Sequence, residues 1–336
     1  MSRLCRFAAV LLLLLPLSAW AQTSGIGAIR GRVVDPAGAP VSGAEVTVTN
    51  EATGFSRTTH SDAQGFYAVP QLPLTGTYHI RIAQEGFAAQ ERSGIELRAG
   101  ETAGMDAALT AAVQGEITVH GTTEAVQSDS PQLGTRLDTE KIQETPVLGR
   151  KLTSLPLLNS AVRPARGTGD LFLNNTLFVI DGGGRRQTTF TLDGGTGDDA
   201  WGRQTIFTNV PLGAIQEFTV LTNSFSAEYG RTTGGAINIV TRSGTNQLRG
   251  DITAVYRPGS LQSAAPITGQ DAEDELKQAS GFFSGPLAQD RAWWSVAGEY
   301  NDQDRDSIIT SALAPGIFTG EYRQRLFFSS RGRTWT

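Results

Sequence analysis

Ala214-Ile215-Gln216-Glu217-Phe218-Thr219-Val220-Leu221, then Ser226-Ala227-Glu228-Tyr229-Gly230, then Gly234-Gly235-Ala236-Ile237-Asn238-Ile239-Val240-Thr241-Arg242-Ser243-Gly244 follow one another in the chain. Glu217 to Leu221 and Ala236 to Thr241 are strand signals, short apolar runs rich in β-branched and aromatic residues and bounded by glycine or serine. A mixed α and β pattern extends back from them to about Gly134. Asp138 is placed to N-cap a helix running through Ile142, which Pro146 ends, and Gly149 to Leu155 offers a second short helix before Pro156. Phe178-Val179-Ile180-Asp181-Gly182-Gly183 and Phe190-Thr191-Leu192-Asp193-Gly194-Gly195 read as two copies of one strand-turn unit. Asp-Gly after an apolar strand is a tight-turn signal.

On the N-terminal side, from Ala28 to Leu109, short strands alternate with evenly spaced turns. Val46 and Val48 alternate with Glu45, Thr47 and Thr49; Tyr78, Ile80 and Ile82 with His79 and Arg81; Met105, Ala107 and Leu109 continue the period of two. Asp35-Pro36-Ala37-Gly38 and Ser61-Asp62-Ala63-Gln64-Gly65 supply turn chemistry. A seven- or eight-stranded antiparallel sandwich is predicted. Residues from Ala111 to Ser130 are small and polar and read as a linker.

At the very start, Arg3 and Arg6 precede an apolar run from Phe7 to Leu17 and Ala19-Trp20-Ala21, the form of a secretory signal cleaved after Ala21. Cys5 lies within it, so a mature chain would hold no cysteine and no disulfide. The chain has 336 residues, 39 of them glycine, 18% charged residues and a net charge of -5. So low a charge fraction with so much glycine favours strands and turns over helical bundles. There is no basic cluster, hence no expectation of a nucleic-acid partner. Past the signal no apolar run is long enough for a membrane helix, so any insertion must use a β-barrel.

Downstream, Leu248 to Arg257, Gln278 to Leu287, Ala292 to Tyr300 and Tyr322 to Ser330 each approach the ~9 to 11 residues of a tilted membrane strand. In the third, Ala292, Trp294, Val296, Gly298 and Tyr300 form one face and Trp293, Ser295, Ala297 and Glu299 the other. A soluble meander would alternate in the same way.

Gly31-Arg32-Val33-Val34-Asp35, Pro40-Val41-Ser42-Gly43-Ala44, Thr58-Thr59 and Asp62-Ala63-Gln64-Gly65-Phe66-Tyr67 resemble the carboxypeptidase regulatory-like domain. The resemblance implies a prealbumin-like β-sandwich related to carbohydrate-binding folds, and no peptidase, because no His-x-x-Glu metal site occurs. The three segments quoted first resemble the end of the plug domain of TonB-dependent outer-membrane receptors. The plug signature falls on Glu217, Tyr229, Gly230, Gly234, Gly235 and Asn238. Ser280-Gly281-Phe282-Phe283-Ser284-Gly285-Pro286-Leu287 is similar to the barrel start of Oar-like receptors, with Trp293-Trp294 where that family has a phenylalanine pair.

The resemblance implies a mainly β protein: signal peptide 1–21, regulatory-like sandwich 22–112, linker 113–133, plug 134–245, and the first strands of an incomplete transmembrane β-barrel, 246–336. It implies import of a nutrient across the outer membrane through a plugged 22-stranded barrel. The TonB complex of the inner membrane and outer-membrane lipid are the partners it implies, with a carbohydrate or peptide as candidate ligand. Glu116, Ile117, Thr118, Val119 and His120 stand where the TonB box should lie, and their alternation suits strand addition to a sheet edge. The same residues also read as the sandwich's last strand or as an ordinary linker. A binding or adhesion module without transport is the other reading of the whole.

No catalytic, cofactor or metal site is expected. Asp193, Asp198 and Asp199 lack the spacing of a calcium loop, and Gly182-Gly183-Gly184-Arg185-Arg186 lacks the lysine and context of a phosphate loop. His60, His79 and His120 show no ligand spacing. The barrel pattern stops at Arg331-Gly332-Arg333-Thr334-Trp335-Thr336 without a final strand, so the expectation is a fragment. Four strands fall short of the eight of the smallest barrels, and such a piece alone would not transport.

Overall fold

A computed structural model describes residues 26–111, 117–118, 133–145, 151–164, 178–184, 187–197, 210–223, 229–230, 232–261, 263, 274–311 and 314–333. At 117–118, 133, 305–311, 314–324 and 326–333 it describes the backbone alone. The signal expected over 1–21 lies outside the described residues.

The first body is the sandwich. Its strands are β1 (Ile26–Val34), β2 (Glu45–Asn50), β3 (Ser56–His60), β4 (Phe66–Pro73), β5 (Thr77–Ala83), β6 (Gln90–Glu96), β7 (Thr102–Gly104), β8 (Ala107–Ala108) and β9 (Ile117–Thr118). One sheet runs β4-β1-β7 with β8 also on β1; the other runs β3-β2-β5-β6-β9. Inward positions carry Ile29, Val33, Val46, Val48, Val69, Tyr78, Ile80, Ile82, Met105 and Leu109, all at most 3% exposed. The alternation in the sequence thus places the core, each such aliphatic side chain contributing about 1.5–3 kcal/mol of burial. Both expected turns form. Asp35 Oδ1 accepts the N–H groups of Ala37 and Ala39, and Asp62 Oδ1 those of Gln64 and Phe66. Gly65 takes a φ of 78°, where a Cβ would also sit 2.4 Å from the Val33 carbonyl oxygen.

The sandwich is not wholly antiparallel. β7 and β8 run parallel to β1, in the registers Ala28↔Thr102 and Val33↔Ala107. After β6 the chain crosses to the other sheet and enters it beside β1 in the same direction. Alternation reports which face a strand buries; it does not report the direction of its neighbour.

The second body is a five-stranded sheet ordered β10-β15-β16-β13-β14, from β10 (Leu133–Asp138), β13 (Thr188–Leu192), β14 (Gly195–Thr196), β15 (Ile215–Asn223) and β16 (Gly235–Thr241). A separate hairpin joins β11 (Val162–Pro164) and β12 (Phe178–Ile180). Every residue of β16 is buried, so this sheet is covered on both faces. Helix α1 (Thr139–Glu144) starts as expected: the Asp138 carboxylate accepts the Lys141 N–H at 2.8 Å, and Ile142 is buried. Burial acts to raise the Asp138 carboxyl, but the Lys141 N–H and ammonium together hold it below the usual range. The second helix is a 3-10 segment, Leu152–Leu158, with Pro156 inside it. Pro156 does not end the segment as expected. The two strand-turn copies are real: Asp181-Gly182 and Asp193-Gly194 all have positive φ, the geometry of a type I′ turn, and the rings of Phe178 and Phe190 meet edge-on at 5.6 Å.

The third body is an antiparallel meander of β17 (Arg249–Arg257), β18 (Glu275–Ala288), β19 (Ala292–Ser311) and β20 (Ala314–Arg333). The last three have 14, 20 and 20 residues, longer than the sequence signals, because pairing continues past the apolar stretch into residues such as Asp302, Asp304 and Asp306. Among the described residues no helix is long and apolar enough to cross a membrane.

Candidate functional site

The meander turns its burial pattern inside out. Toward the central sheet it buries Gln278, Ser280, Ser284, Ser295, Glu299, Asn301 and Gln303, together with Trp293, Phe282 and Ala297. Away from it, it exposes Leu248, Ile252, Tyr256, Phe283, Leu287 and Tyr300. Both faces of β19 fall as the sequence divided them. Ala292 to Tyr300 covers roughly 26 Å along the strand. At a membrane-strand tilt of ~40° this spans roughly 20 Å of the ~25 Å apolar band of an outer-membrane barrel. The band ends in a cross-strand row of Tyr256, Lys277 and Asp302. The Tyr256 hydroxyl donates to Glu275 and the Tyr300 hydroxyl to Asp302, each at 2.9 Å. Amphipathic rings therefore sit where apolar surface gives way to charge.

The central sheet is fastened to this meander by residues that sequence reasoning did not single out. The Arg242 guanidinium lies over the Phe282 ring at 3.7 Å, donates to Asp251 at 2.6 Å, and donates to the Gly213 carbonyl at 3.0 Å. The Leu212 N–H points to Glu299 at 3.3 Å. Asn246 is a three-way junction. Its backbone N–H donates to Ala52 of the sandwich, its amide exchanges two hydrogen bonds with Asp290, and its Oδ1 accepts the Trp293 indole N–H at 2.8 Å.

Five of the six signature residues, all but Gly230, serve packing or polar satisfaction in and around the central sheet. Glu217 is buried, accepts the Thr219 hydroxyl and lies 3.0 Å from Arg136 Nε. Tyr229 packs with Leu221 and Ala236, whereas a Cβ at Gly230 would meet open space. At Gly235 a Cβ would stand 2.7 Å from Ile180 Cδ1, so glycine there permits β16 to approach β12; the neighbouring Gly234 donates its N–H to the Gln187 carbonyl. Asn238 is 1% exposed and its Oδ1 accepts the Thr191 hydroxyl at 2.8 Å.

Of the segment 116–120, only Ile117 and Thr118 are described. They form β9, parallel to β6 on the sandwich edge, with Gln90 opposite Ile117 and Glu91 opposite Thr118. Glu116, Val119 and His120 lie outside the described residues. So do Asp198 and Asp199, while the Asp193 carboxylate accepts the Thr241 N–H and hydroxyl. Among the described residues no group of three or more His, Cys, Asp or Glu is arranged to hold a metal.

The sandwich carries a cleft of about 720 Å³ on the outer face of the β4-β1-β7 sheet. Its floor is the row Ala68, Arg30, Gly104, in which two very small residues flank one long one. His60, Asp62, Phe66 and Asp106 wall it. Nothing in the sequence pattern announced it, since its walls come from separate strands and turns.

Residues 28–110 match the carboxypeptidase regulatory-like domain. Over 290 residues, 82% of this chain, the sequence is 30% identical to the TonB-dependent transporter Oar of Myxococcus xanthus. The match covers 26% of that protein, so the chain spans about a quarter of the length of this curated relative. Among solved structures, the siderophore receptor PirA from Acinetobacter baumannii aligns with a TM-score of 0.40 and 22% identity, covering 51% of this chain and 24% of that one. The outer membrane transporter YddB from Escherichia coli aligns with a TM-score of 0.44 and 14% identity, covering 59% and 30%.

Proposed function

We propose that this homologue of the TonB-dependent transporter Oar is the plug and the opening stretch of barrel wall of an energised outer-membrane importer, with a periplasm-facing regulatory-like sandwich ahead of them. The inverted burial of β17–β20 carries the reading: a wall with a polar side against a plug and an apolar side outward suits lipid outside and a plugged lumen inside. Residues 134–245 act as the plug. Glu116 to His120 act as the TonB box, and their extended backbone at 117–118 is the form that strand addition uses. The cargo is a nutrient taken up through contacts on plug and extracellular loops.

Cell fractionation of the full-length gene product tests this. The expected result is an outer-membrane protein whose migration changes on heating; a periplasmic protein without that behaviour would overturn it. Photo-crosslinking from position 117 to the TonB protein is expected, with loss when Thr118→Pro is added, because proline removes a ladder donor. Crosslinking unchanged by proline would take the TonB box elsewhere.

The cleft on the sandwich favours a second role, binding of carbohydrate or peptide by residues 22–112. Arg30, Asp62 and Asp106 offer donors and acceptors beside the exposed Phe66 ring. Glycan-array binding that is lost in Phe66→Ala would support it, and absence of any binding would remove it.

A further inference from the structure

The sandwich meets the plug through a small set of polar contacts, and one of them differs in kind from the rest. Gln216 Nε2 donates to the Leu74 carbonyl at 2.8 Å and the Asn246 N–H to the Ala52 carbonyl at 2.9 Å, both neutral hydrogen bonds. Beside Gln216 lies a charge cluster. Arg136 Nη1 is 3.4 Å from Glu101 Oε2 of the sandwich, and Arg136 Nε is 3.0 Å from Glu217 Oε1 of the plug. The Glu101 and Glu217 side chains are 4% and 9% exposed, and Glu101 Oε1 is buried with no hydrogen-bond partner. Glu217 reaches back across the boundary, its Oε2 facing the Ala99 N–H at 3.4 Å. One guanidinium therefore serves two buried carboxylates on opposite sides of one interface. Removing a cation from such a site is far more disruptive than removing the whole cluster, because charges are left without a partner.

Arg136 sits on β10, an edge strand paired with β15 alone, in the register Leu133↔Asn223 to Asp138↔Glu217. β10 is also the first plug strand after the segment assigned above to energy coupling. A pull from that side strips the ladder from Leu133 onward and reaches Arg136 before Asp138. We propose that Arg136 is a release latch: the sandwich stays docked on the plug only while β10 is seated, and withdrawal of β10 strands Glu101 against Glu217 and frees the sandwich. The latch rests on the charge cluster; the direction of pull rests on the proposed function.

Hydrogen exchange read by mass spectrometry on the full transporter in lipid nanodiscs tests it. In Arg136→Gln, exchange over 96–104 should rise about tenfold or more while 45–50, 77–83 and 275–300 stay protected. In the triple variant Arg136→Gln, Glu101→Gln, Glu217→Gln, which strands no charge, 96–104 should return to within about threefold of the wild type. An unchanged 96–104 in the single variant, or a triple variant as open as the single one, overturns the latch. Should Arg136→Gln fail to fold, the triple variant and Glu101→Gln decide, since both must keep 96–104 protected. In membranes that also hold an energised TonB complex, 133–139 and 96–104 should open together. Opening of 133–139 alone overturns the latch and leaves the coupling; no opening of either, with the Arg136→Gln effect intact, overturns the coupling and leaves the latch.

Discussion

The sandwich and the β17–β20 meander are built from the same alternation of apolar and polar residues and use it in opposite senses. In the sandwich Val46, Val48, Ile80 and Ile82 point inward and Glu45, Thr47 and Arg81 outward, as a body surrounded by water requires. In the meander Ser280, Ser284, Ser295 and Glu299 point inward and Ile252, Phe283 and Tyr300 outward. The period of two fixes which residues share a face, and the surroundings decide which face is buried. Burial of the polar face is meaningful only because the central sheet covers it, with Phe282 and Ala297 reaching into that sheet's own core.

The same charged substitution on the two apolar faces gives the largest contrast. Ile80→Lys puts an unpaired cation in a site 1% exposed, and a loss of more than about 4 kcal/mol is expected, enough to unfold the sandwich in a denaturation experiment on residues 22–112. Phe283→Lys lies midway along the outer apolar face, and if that face meets lipid about 2–4 kcal/mol is expected from unfolding in vesicles. A Phe283→Lys that costs nothing in lipid would mean that this face meets water, and the contrast between the two regions would collapse.

A quieter substitution probes the contrast through packing. In Gly31→Ala the new Cβ would fall 1.9 Å from the Met105 carbonyl oxygen and 2.9 Å from the Tyr67 hydroxyl, where backbone must move. That oxygen already accepts the Tyr67 O–H, and Met105 donates its N–H to the Arg30 carbonyl, so both bonds are disturbed and about 3 kcal/mol or more is lost. In Gly281→Ala, on the outer face, the nearest atoms are 3.5 to 3.8 Å away, and a change within about 0.5 kcal/mol is expected. Thermal unfolding of both variants checks the pair. Equal losses would show that the meander's outer face is packed as tightly as a protein interior.

How far these features could be read in advance follows from what each depends on. The inward sets of β2 and β5, the two faces of β19 and the Asp-Gly turns depend on neighbours along the chain, and they were legible. The lengths of β18–β20 were not, because apolar signal stops near Tyr300 while pairing continues to Ser311. The parallel entry of β7 and β8 beside β1 is a choice of neighbour that alternation leaves open. Pro156 stays inside a helical segment because a 3-10 turn tolerates a missing N–H that an extended α-helix would not. The fastening residues Arg136, Arg242 and Asn246 were least legible of all. Each is an ordinary polar residue in sequence and acquires a role only from partners distant in the chain, such as Glu101, Phe282 and Ala52.

The smallest expected effect concerns the dryness of the sandwich interior. Tyr78 is fully buried, its hydroxyl donates to the Pro73 carbonyl, and burial pushes its phenol up to about 12; burial likewise raises Tyr67. A phenol is neutral at low pH, so its folded and unfolded states do not differ in protons below pH ~10. As pH rises past that value the unfolded chain loses its phenol proton first and is favoured. The sandwich should therefore keep its stability up to about pH 10 and lose it progressively toward about pH 12. Phenolate absorbance measured during alkaline titration of residues 22–112 should show two tyrosines ionising late and together with unfolding, and Tyr78→Phe should reduce the slope of stability against pH. Early, reversible ionisation of both with the fold intact would show that water reaches this interior, and the sandwich would lose the dry apolar core that sets it apart from the polar inner side of the meander.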